Sequence, residues 1–229
     1  MKQLVTEGIV LSRTDYGEAD RIITVLTPQY GKLRLMAKGV RKIKSKLAGG
    51  IELFSVSHIT FIQGRGEVGT LVSTRLITHY ERIIQDINRT MLGYEIIKQL
   101  NRATEDEPEA EYFTLLQQVF AALNDASISL DLIQTWFTAQ VLRQAGHMPN
   151  LQTDTTGAKL DASKTYDFSY DDVAFVIHPQ GNFRADDIKF LRLLFSPNEP
   201  QVLSKIADVN NLTKHCAPLV NTMKQAYIR

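Results

Sequence analysis

The stretch GKLRLMAKGVRKIKSK, residues 31–46, decides the fold of the N-terminal third of this 229-residue chain. Side chains in a β-strand point alternately to its two faces, so one set faces a core and the other faces solvent. After Gly39 the stretch continues as a loop that is rich in basic residues and contains no acidic residue. The alternation predicts a buried set, Leu33, Leu35 and Ala37, and an outer set, Lys32, Arg34, Met36 and Lys38.

Four other stretches near this strand are rich in Val, Ile, Leu, Thr and Phe, and turn sequences such as P-Q-Y-G separate them. Five strands in about 75 residues favour a small closed barrel, because a sandwich usually needs seven strands. The long fourth stretch changes the phase of its apolar positions around residues 55–58, which predicts a bulge or a bend at a corner of the barrel. The predicted strands are Val5–Arg13, Arg21–Thr27, Lys32–Lys38, Ile51–Gln63 and Val68–Ile77.

Residues 80–145 have the apolar spacing of helices, and Gly146 is typical of a helix C-terminus. The first helical run contains Ile83, Ile84, Ile87, Met91, Tyr94, Ile97 and Leu100. An acidic cluster between the first two helices is interpreted as a solvated loop; it comprises Glu105, Asp106, Glu107, Glu109 and Glu111.

Residues 147–183 are predicted to form an irregular insertion with two short strand-like pieces, Tyr166–Ser169 and Val173–Ile177. Helical patterning returns in residues 186–195 and 199–228. We therefore expect an α+β protein with a barrel domain over residues 1–79 and a helical domain over residues 80–229. The expected core of the insertion is Tyr166, Phe168, Phe175 and Ile177, and Trp136 is expected in the core of the helical domain.

The composition excludes several classes of protein. Hydrophobic residues make up 44% and charged residues 22%, as in an ordinary globular protein, and no apolar run is long enough to span a membrane. Glu7 lies where a signal peptide needs its apolar segment, and the single cysteine, Cys216, excludes an internal disulfide. These features predict a cytoplasmic protein.

The charge is divided unevenly along the chain. Residues 1–80 hold 12 basic and 6 acidic residues, whereas residues 81–229 hold 14 basic and 19 acidic residues. A basic domain joined to an acidic one indicates that the first binds a polyanion.

The expected binding site consists of the cations on the decisive stretch and one basic residue at a predicted hairpin tip. Closely spaced cations without acidic partners are what phosphates require, so nucleic acid is the favoured ligand over a merely solvated surface. Tyr16 and Tyr30 lie at turns and are the candidates for base stacking, whereas Phe54 and Phe61 are expected in the core. The predicted nucleic-acid-binding residues are Lys32, Arg34, Lys38, Arg41, Lys42, Lys44, Lys46 and Arg65.

No pattern of catalytic or metal-binding residues stands out. The five histidines are scattered, and neighbours on a helix point about 100° apart, so His215 and Cys216 cannot form a nucleophile–base pair. Asp15, Glu18 and Asp20 are interpreted as turn residues rather than as metal ligands. We therefore expect neither an enzyme nor a protein with a cofactor or metal.

Several motifs resemble the RecO family of bacterial recombination mediators. The resemblance rests on residues 8–11 (GIVL) and 16–20 (YGEAD), on residues 31–34 and 37–42, on residues 45–49 (SKLAG) and 53–55 (LFS), and on Arg65-Gly66-Glu67. In the C-terminal half residues 146–151 (GHMPNL) are a looser match.

The resemblance implies an N-terminal OB-fold and a helical C-terminal domain, with no catalytic turnover. It also implies binding to single- and double-stranded DNA and annealing of complementary strands. The implied partners are RecR, the single-stranded DNA-binding protein and, indirectly, RecA, which is loaded onto DNA. A nucleoid-associated place in the cytoplasm and a role in DNA repair would follow.

Two motifs depart from the family pattern. Many members carry two C-x-x-C pairs that bind zinc, but the corresponding residues here are Thr153, Thr156, Ile177 and Gln180. We therefore expect no zinc in the insertion. The segment implicated in docking the tail of the single-stranded DNA-binding protein is QTWFT, residues 134–138, and lacks the arginine of the family; Arg143 is one possible substitute.

Two alternatives stay open from the residues alone. One is an OB-fold RNA-binding protein of translation or RNA processing, and the other is a hydrolase that acts on nucleic acid. The acidic helical part is expected to bind protein partners and not DNA.

Overall fold

A computed structural model describes residues 2–64, 66–103 and 110–228 of the chain. It divides into two compact units, Met1–Asp125 and Ala126–Arg229. The barrel shares its unit with the first two helices, so this division differs from the predicted boundary after residue 79.

The first unit contains five strands that pair in the order β1-β2-β3-β5-β4 and close into a barrel. All pairs are antiparallel except β3 with β5. The predicted bulge is present, because the register of β4 against β5 shifts between Val56 and Ser57. The strands are β1 (Gln3–Tyr16), β2 (Asp20–Thr27), β3 (Gly31–Ala37), β4 (Ser55–Ile62) and β5 (Val68–His79).

Strand β4 is shorter than predicted. Residues 51–54, expected at its start, instead follow a short 3-10 turn, Ala48–Gly50, and Phe54 adopts a positive φ of 57° before the strand begins. The inward side chains of the five strands fill the barrel, and burying them removes apolar surface from water. The buried apolar set includes Val10, Ile23, Val25, Leu35, Ala37, Ile59, Phe61 and Leu71.

Helices α1 (Ile87–Ala103) and α2 (Ala110–Leu123) follow a 3-10 turn at Glu81–Gln85. Phe54 explains why they belong with the barrel: its ring packs edge-on against Tyr94 and Phe120, at centroid distances of 5.3 and 5.4 Å. Gly93 makes room, because a Cβ there would lie 2.6 Å from the Phe54 ring. Most of the predicted acidic cluster, residues 105–109, lies outside the described residues.

Helix α1 buries a different face from the one that the apolar run in the sequence indicates. Leu92, Ile96 and Leu100 are buried with Ile97, whereas several members of the run face solvent. The exposed members are Ile84, Ile87, Met91 and Tyr94.

The second unit contains four helices and a small sheet. Trp136 is buried as predicted, and its indole N–H donates to the carbonyl of Asn198 at 2.7 Å. Gly146 has a φ of 79° just after the third helix, as its predicted role at a C-terminus requires. The helices are α3 (Leu130–Gln144), α4 (Ala185–Leu194), α5 (Pro200–Leu203) and α6 (Val209–Tyr227).

The segment 147–183 is more ordered than predicted, because a third strand joins the two expected ones. Strands β6 (Asn150–Asp154), β7 (Tyr166–Ser169) and β8 (Ala174–Ile177) form a sheet in the order β6-β8-β7. Tyr166 and Phe175 form its core as predicted. The prediction for Ile177 is wrong, since its side chain is 44% exposed, and Phe183 packs on Phe175 at 5.4 Å instead.

None of the helices in the described ranges is long and apolar enough to cross a membrane.

Candidate nucleic-acid interface

Strand β3 exposes cations on one face and buries apolar residues on the other. Leu35 and Ala37 are fully buried, as the alternation predicts, whereas Leu33 on the same face is only partly buried; Arg34 on the opposite face is exposed. Lys32 is half-buried, and its ammonium donates to the carbonyl of Asn101 at 3.1 Å near the end of α1. Lys32 therefore helps to hold α1 on the barrel.

The loop that follows β3, residues 38–47, is called here the cationic loop. Its backbone is fastened to the turn between β1 and β2: the Gly39 N–H donates to an Asp20 carboxylate oxygen at 2.6 Å, and the Arg41 N–H donates to the Ala19 carbonyl at 2.9 Å. Gly39 has a φ of 64°, which favours glycine. Between them Val40 is buried in the barrel core. The loop is thus attached to the barrel at its start.

Arg41 adds a side-chain contact to the same turn. Its guanidinium lies 3.6 Å from the Asp15 carboxylate and donates to the Gly17 carbonyl at 3.4 Å. Asp15 also accepts a hydrogen bond from Arg21 at 2.7 Å. That bond, together with the charges of Arg41, Arg21 and Arg13, lowers the pKa of the Asp15 carboxyl below its usual 3.8. Asp15 therefore stays ionised and orients two arginines.

The far end of the cationic loop is attached to β5. The Thr74 hydroxyl donates to the Leu47 carbonyl at 3.2 Å. The backbone at Gly50 approaches the same threonine so closely that a Cβ there would lie 2.3 Å from it, and Ile51 is buried. Both ends of the loop are thus fixed by the barrel.

Between these attachments Lys42, Lys44 and Lys46 are exposed to solvent, as are Arg34 and Lys38 just before the loop is attached. Within the described ranges the structure gives no hydrogen bond or ion pair to five of the predicted binding residues. Because surface ammonium groups without partners retain their full charge for a ligand, this surface suits phosphates. These five residues are Arg34, Lys38, Lys42, Lys44 and Lys46, and each of them is exposed.

Of the two tyrosines that are candidates for base stacking, one is exposed and the other is packed in the barrel. Tyr16 is 56% exposed at the β1–β2 turn, next to the carbonyl that Arg41 contacts. Tyr30 packs edge-on against Phe61 at 5.5 Å, so it is part of the barrel wall. Phe54 and Phe61 are buried as predicted. Arg65 lies outside the described residues.

The sequence pattern does not identify the residues that hold the cationic loop in position. The sequence pattern favours turn residues over metal ligands for Asp15 and Asp20, and in the structure they also fix Arg41 and Gly39. A signal was available, since two carboxylates flank a turn in the most basic part of the chain. Their spacing alone does not show which cation each one contacts.

The groups that resemble catalytic residues lie in the second unit and have structural partners. Cys216 is buried, and burial together with the charge of Asp187 raises the pKa of its thiol to about 12, so it carries no thiolate. Asp187 faces His215 at 2.8 Å and also accepts the N–H of Arg184 at the start of α4. In the described part of the chain no three His, Cys, Asp or Glu side chains are grouped to hold a metal.

The residues at the zinc positions of the family do not fit that metal. Ile177 has no donor atom, and the Thr156 hydroxyl donates to Asp154 at 2.6 Å. The Thr153 hydroxyl accepts a hydrogen bond from Asn150 at 2.7 Å. Zinc in proteins is bound by thiolate, imidazole or carboxylate, so these side chains cannot replace the two C-x-x-C pairs.

Comparison with known proteins points to one family. Residues 1–80 match the family model described as "Recombination protein O N terminal". Three proteins named DNA repair protein RecO are similar to the chain. That of Halalkalibacterium halodurans is 34% identical over 146 residues, which are 63% of this chain and 57% of the relative. That of Roseiflexus sp. (strain RS-1) is 35% identical over 147 residues, 64% of this chain and 51% of the relative.

The third, from Listeria welshimeri, is 29% identical over 198 residues, 82% of this chain and 76% of the relative. The first relatives are matched over only about half to three fifths of their own length.

Proposed function

Because the chain belongs to the RecO family, we propose that it is a DNA-binding recombination mediator in DNA repair. It binds single- and double-stranded DNA through the cationic loop and the outer face of β3, and it anneals complementary strands without catalysing a reaction. The residues proposed to contact DNA are Arg34, Lys38, Arg41, Lys42, Lys44 and Lys46, together with Lys32 and Arg65.

The observation that carries this proposal is a set of exposed cations, Lys42, Lys44 and Lys46, which have no partner in the described part of the chain and lie on a loop that is fixed at both ends. A fixed loop loses little conformational freedom when phosphates bind, so more of the electrostatic attraction remains as affinity. Binding to phosphates releases counterions and carries no information on base sequence. The site therefore suits a protein that must act on DNA of any sequence.

The barrel supports the same proposal. Five strands in a closed barrel, in the order β1-β2-β3-β5-β4, suit an OB-fold, in which loops and one face of the barrel bind oligonucleotides. Strand annealing follows from such a surface, because neutralising the phosphates of two strands reduces the repulsion between them.

The protein partners are part of the proposal and rest on family membership. We propose RecR and the single-stranded DNA-binding protein as direct partners and RecA as the protein that is loaded. Within residues 134–138 only Gln134 is exposed, while the other four side chains are buried in the second unit. A docking site for an acidic tail therefore uses other residues of this unit; Arg143 is partly occupied by a hydrogen bond to Gln140 at 2.9 Å.

Annealing of complementary oligonucleotides coated with single-stranded DNA-binding protein tests the proposal. We expect the wild-type protein to accelerate annealing, and the triple substitution of Lys42, Lys44 and Lys46 by Glu to remove most of the acceleration. The matched control replaces three exposed lysines of the second unit, Lys159, Lys205 and Lys214, by Glu, and it should anneal uncoated strands normally.

The same assay separates the alternatives. Equal annealing of RNA strands together with no stimulation of RecA loading would favour an RNA-binding protein. Metal-dependent cleavage of the labelled strand would show a hydrolase. Wild-type protein that neither binds nor anneals DNA would contradict the proposal.

A further inference from the structure

The tip of the cationic loop carries an apolar residue, Ile43, whose side chain is fully exposed. We propose that Ile43 contacts a nucleobase: its side chain packs against the face of an unstacked base of bound single-stranded DNA, while the flanking Lys42 and Lys44 hold phosphates. This inference rests on the proposed function, because it concerns the same DNA.

Hydrogen bonds of the loop fix where Ile43 lies. The Ser45 N–H donates to the Lys42 carbonyl at 2.9 Å, so residues 42–45 form a closed turn with Ile43 and Lys44 at its centre. The Ser45 hydroxyl in turn accepts the Leu47 N–H at 3.3 Å, and the Lys42 N–H donates to the Gly39 carbonyl. This hydrogen-bonded turn therefore places Ile43 at the tip of the loop.

The surroundings of Ile43 determine what can cover it. A single exposed apolar side chain is common on proteins, but this one is flanked by two exposed lysines in a segment without an acidic residue. A ligand drawn to the loop by its charge carries phosphates. Of the groups on such a ligand, the bases of a single strand offer flat, poorly hydrated faces.

The two kinds of contact have different signatures in solution. A lysine bound to phosphate releases counterions, so its loss lowers the slope of affinity against salt. Packing of an isoleucine on a base removes apolar surface from water and releases no counterions. The contribution of Ile43 should therefore be independent of salt and should require the bases.

Fluorescence anisotropy with two labelled strands of equal length, one of normal thymidines and one of abasic sites, separates these contributions. We expect Ile43→Ser to bind the normal strand about tenfold more weakly at every salt concentration, and to bind the abasic strand as the wild type does. Ile43→Leu should keep the wild-type preference. Ile87→Ser replaces another exposed isoleucine, at the start of α1, and should change neither affinity.

Three results would overturn the inference. Unchanged affinity of Ile43→Ser for the normal strand would place Ile43 outside the interface. Equal loss on both strands would show that the substitution disturbs the loop and its lysines. Ile43 would instead contact a membrane if vesicles of anionic lipid bound the wild type but not the Ile43→Ser variant, while both proteins bound the thymidine strand equally well. If the wild type binds neither strand, the proposed function fails as well, whereas the first two results leave it standing.

Discussion

Two irregular segments of the molecule use their charged residues in opposite ways. In the segment 147–183, neighbouring donors engage the carboxylates: the Oδ1 atom of Asp154 accepts the N–H groups of Thr156 and Ala158 at 2.9 and 3.1 Å, while its buried Oδ2 atom has no hydrogen-bond partner among the described residues. Asp161 accepts both the N–H and the hydroxyl of Ser163. In the cationic loop the ammonium groups of Lys42, Lys44 and Lys46 have no such partner among the described residues.

This difference distinguishes charged residues that stabilise the fold from charged residues that are available to bind a ligand. A carboxylate that accepts backbone N–H groups shapes the chain and has little capacity left for a ligand. A cation that stands on a fixed backbone without a partner contributes little to stability and is available for a ligand. Substitutions in the two segments should therefore have opposite consequences for stability and for DNA affinity.

The largest effect on stability is expected in the insertion. Tyr166 is buried against Phe175, and its hydroxyl accepts the Asp161 N–H at 2.7 Å. Tyr166→Ala should lower the free energy of unfolding by about 3–5 kcal/mol, because it leaves a cavity and an unpaired N–H. Urea denaturation measures this loss. The affinity for DNA, measured where the variant is folded, should be unchanged, and a parallel loss of affinity would show that the segments are not independent.

Charge reversal in the cationic loop should have the next largest effect. Replacing Lys42, Lys44 and Lys46 by Glu should weaken binding of single-stranded DNA about 100-fold, because three attractions become repulsions. The urea midpoint should move little, since these side chains are exposed. The second-unit control, Lys159, Lys205 and Lys214 to Glu, changes the net charge equally. If it weakened binding as much, the effect would come from net charge and not from this loop.

An intermediate effect is expected for Arg41, which both carries charge and attaches the loop. Arg41→Ala removes its contacts to Asp15 and Gly17 and should weaken DNA binding about tenfold. Lys44→Ala removes only a charge and should weaken binding about threefold. Anisotropy titrations of the two variants in one buffer measure the difference. Equal losses would mean that the attachment contributes nothing to binding.

The smallest effect is expected for the stability of the protein at low pH. Hydrogen bonds from Thr156 lower the pKa of Asp154 below its usual 3.8, so the folded state favours the ionised carboxyl. The resulting stability is present above pH 3.8 and is lost as the pH falls through the folded-state pKa. Asp154→Asn should therefore lose less stability than the wild type between pH 5 and pH 3, as thermal melts can measure. Asp171→Asn, at an exposed residue, is the control, and identical pH profiles for Asp154→Asn and the wild type would contradict this assignment.

The sequence predicted the five strands and the inner face of β3, because alternation of side chains in a strand is a local property. It also predicted the burial of Trp136 and of Phe61. It did not predict that α1 and α2 pack on the barrel, since the contact of Phe54 with Tyr94 and Phe120 joins residues far apart in the chain.

The sequence predicts the cations of the candidate site but not the contacts that each of them makes in the structure. Charge counts identify Lys32 and Lys44 alike, yet Lys32 donates to Asn101 while Lys44 has no partner in the described ranges. That distinction depends on tertiary contacts. The third strand of the insertion was missed for a similar reason, because β6 pairs with β8 through the fold rather than through a local hairpin.

The salt dependence of DNA binding tests the central claim most directly. If the cationic loop neutralises about four phosphates of a single strand, log K should fall with log salt at a slope near −3. The account predicts that replacing Lys42, Lys44 and Lys46 by Ala reduces this slope to about −1, while the second-unit lysine control keeps the wild-type slope. A triple alanine variant with the wild-type slope and affinity would contradict the account and place the DNA-binding surface elsewhere on the protein.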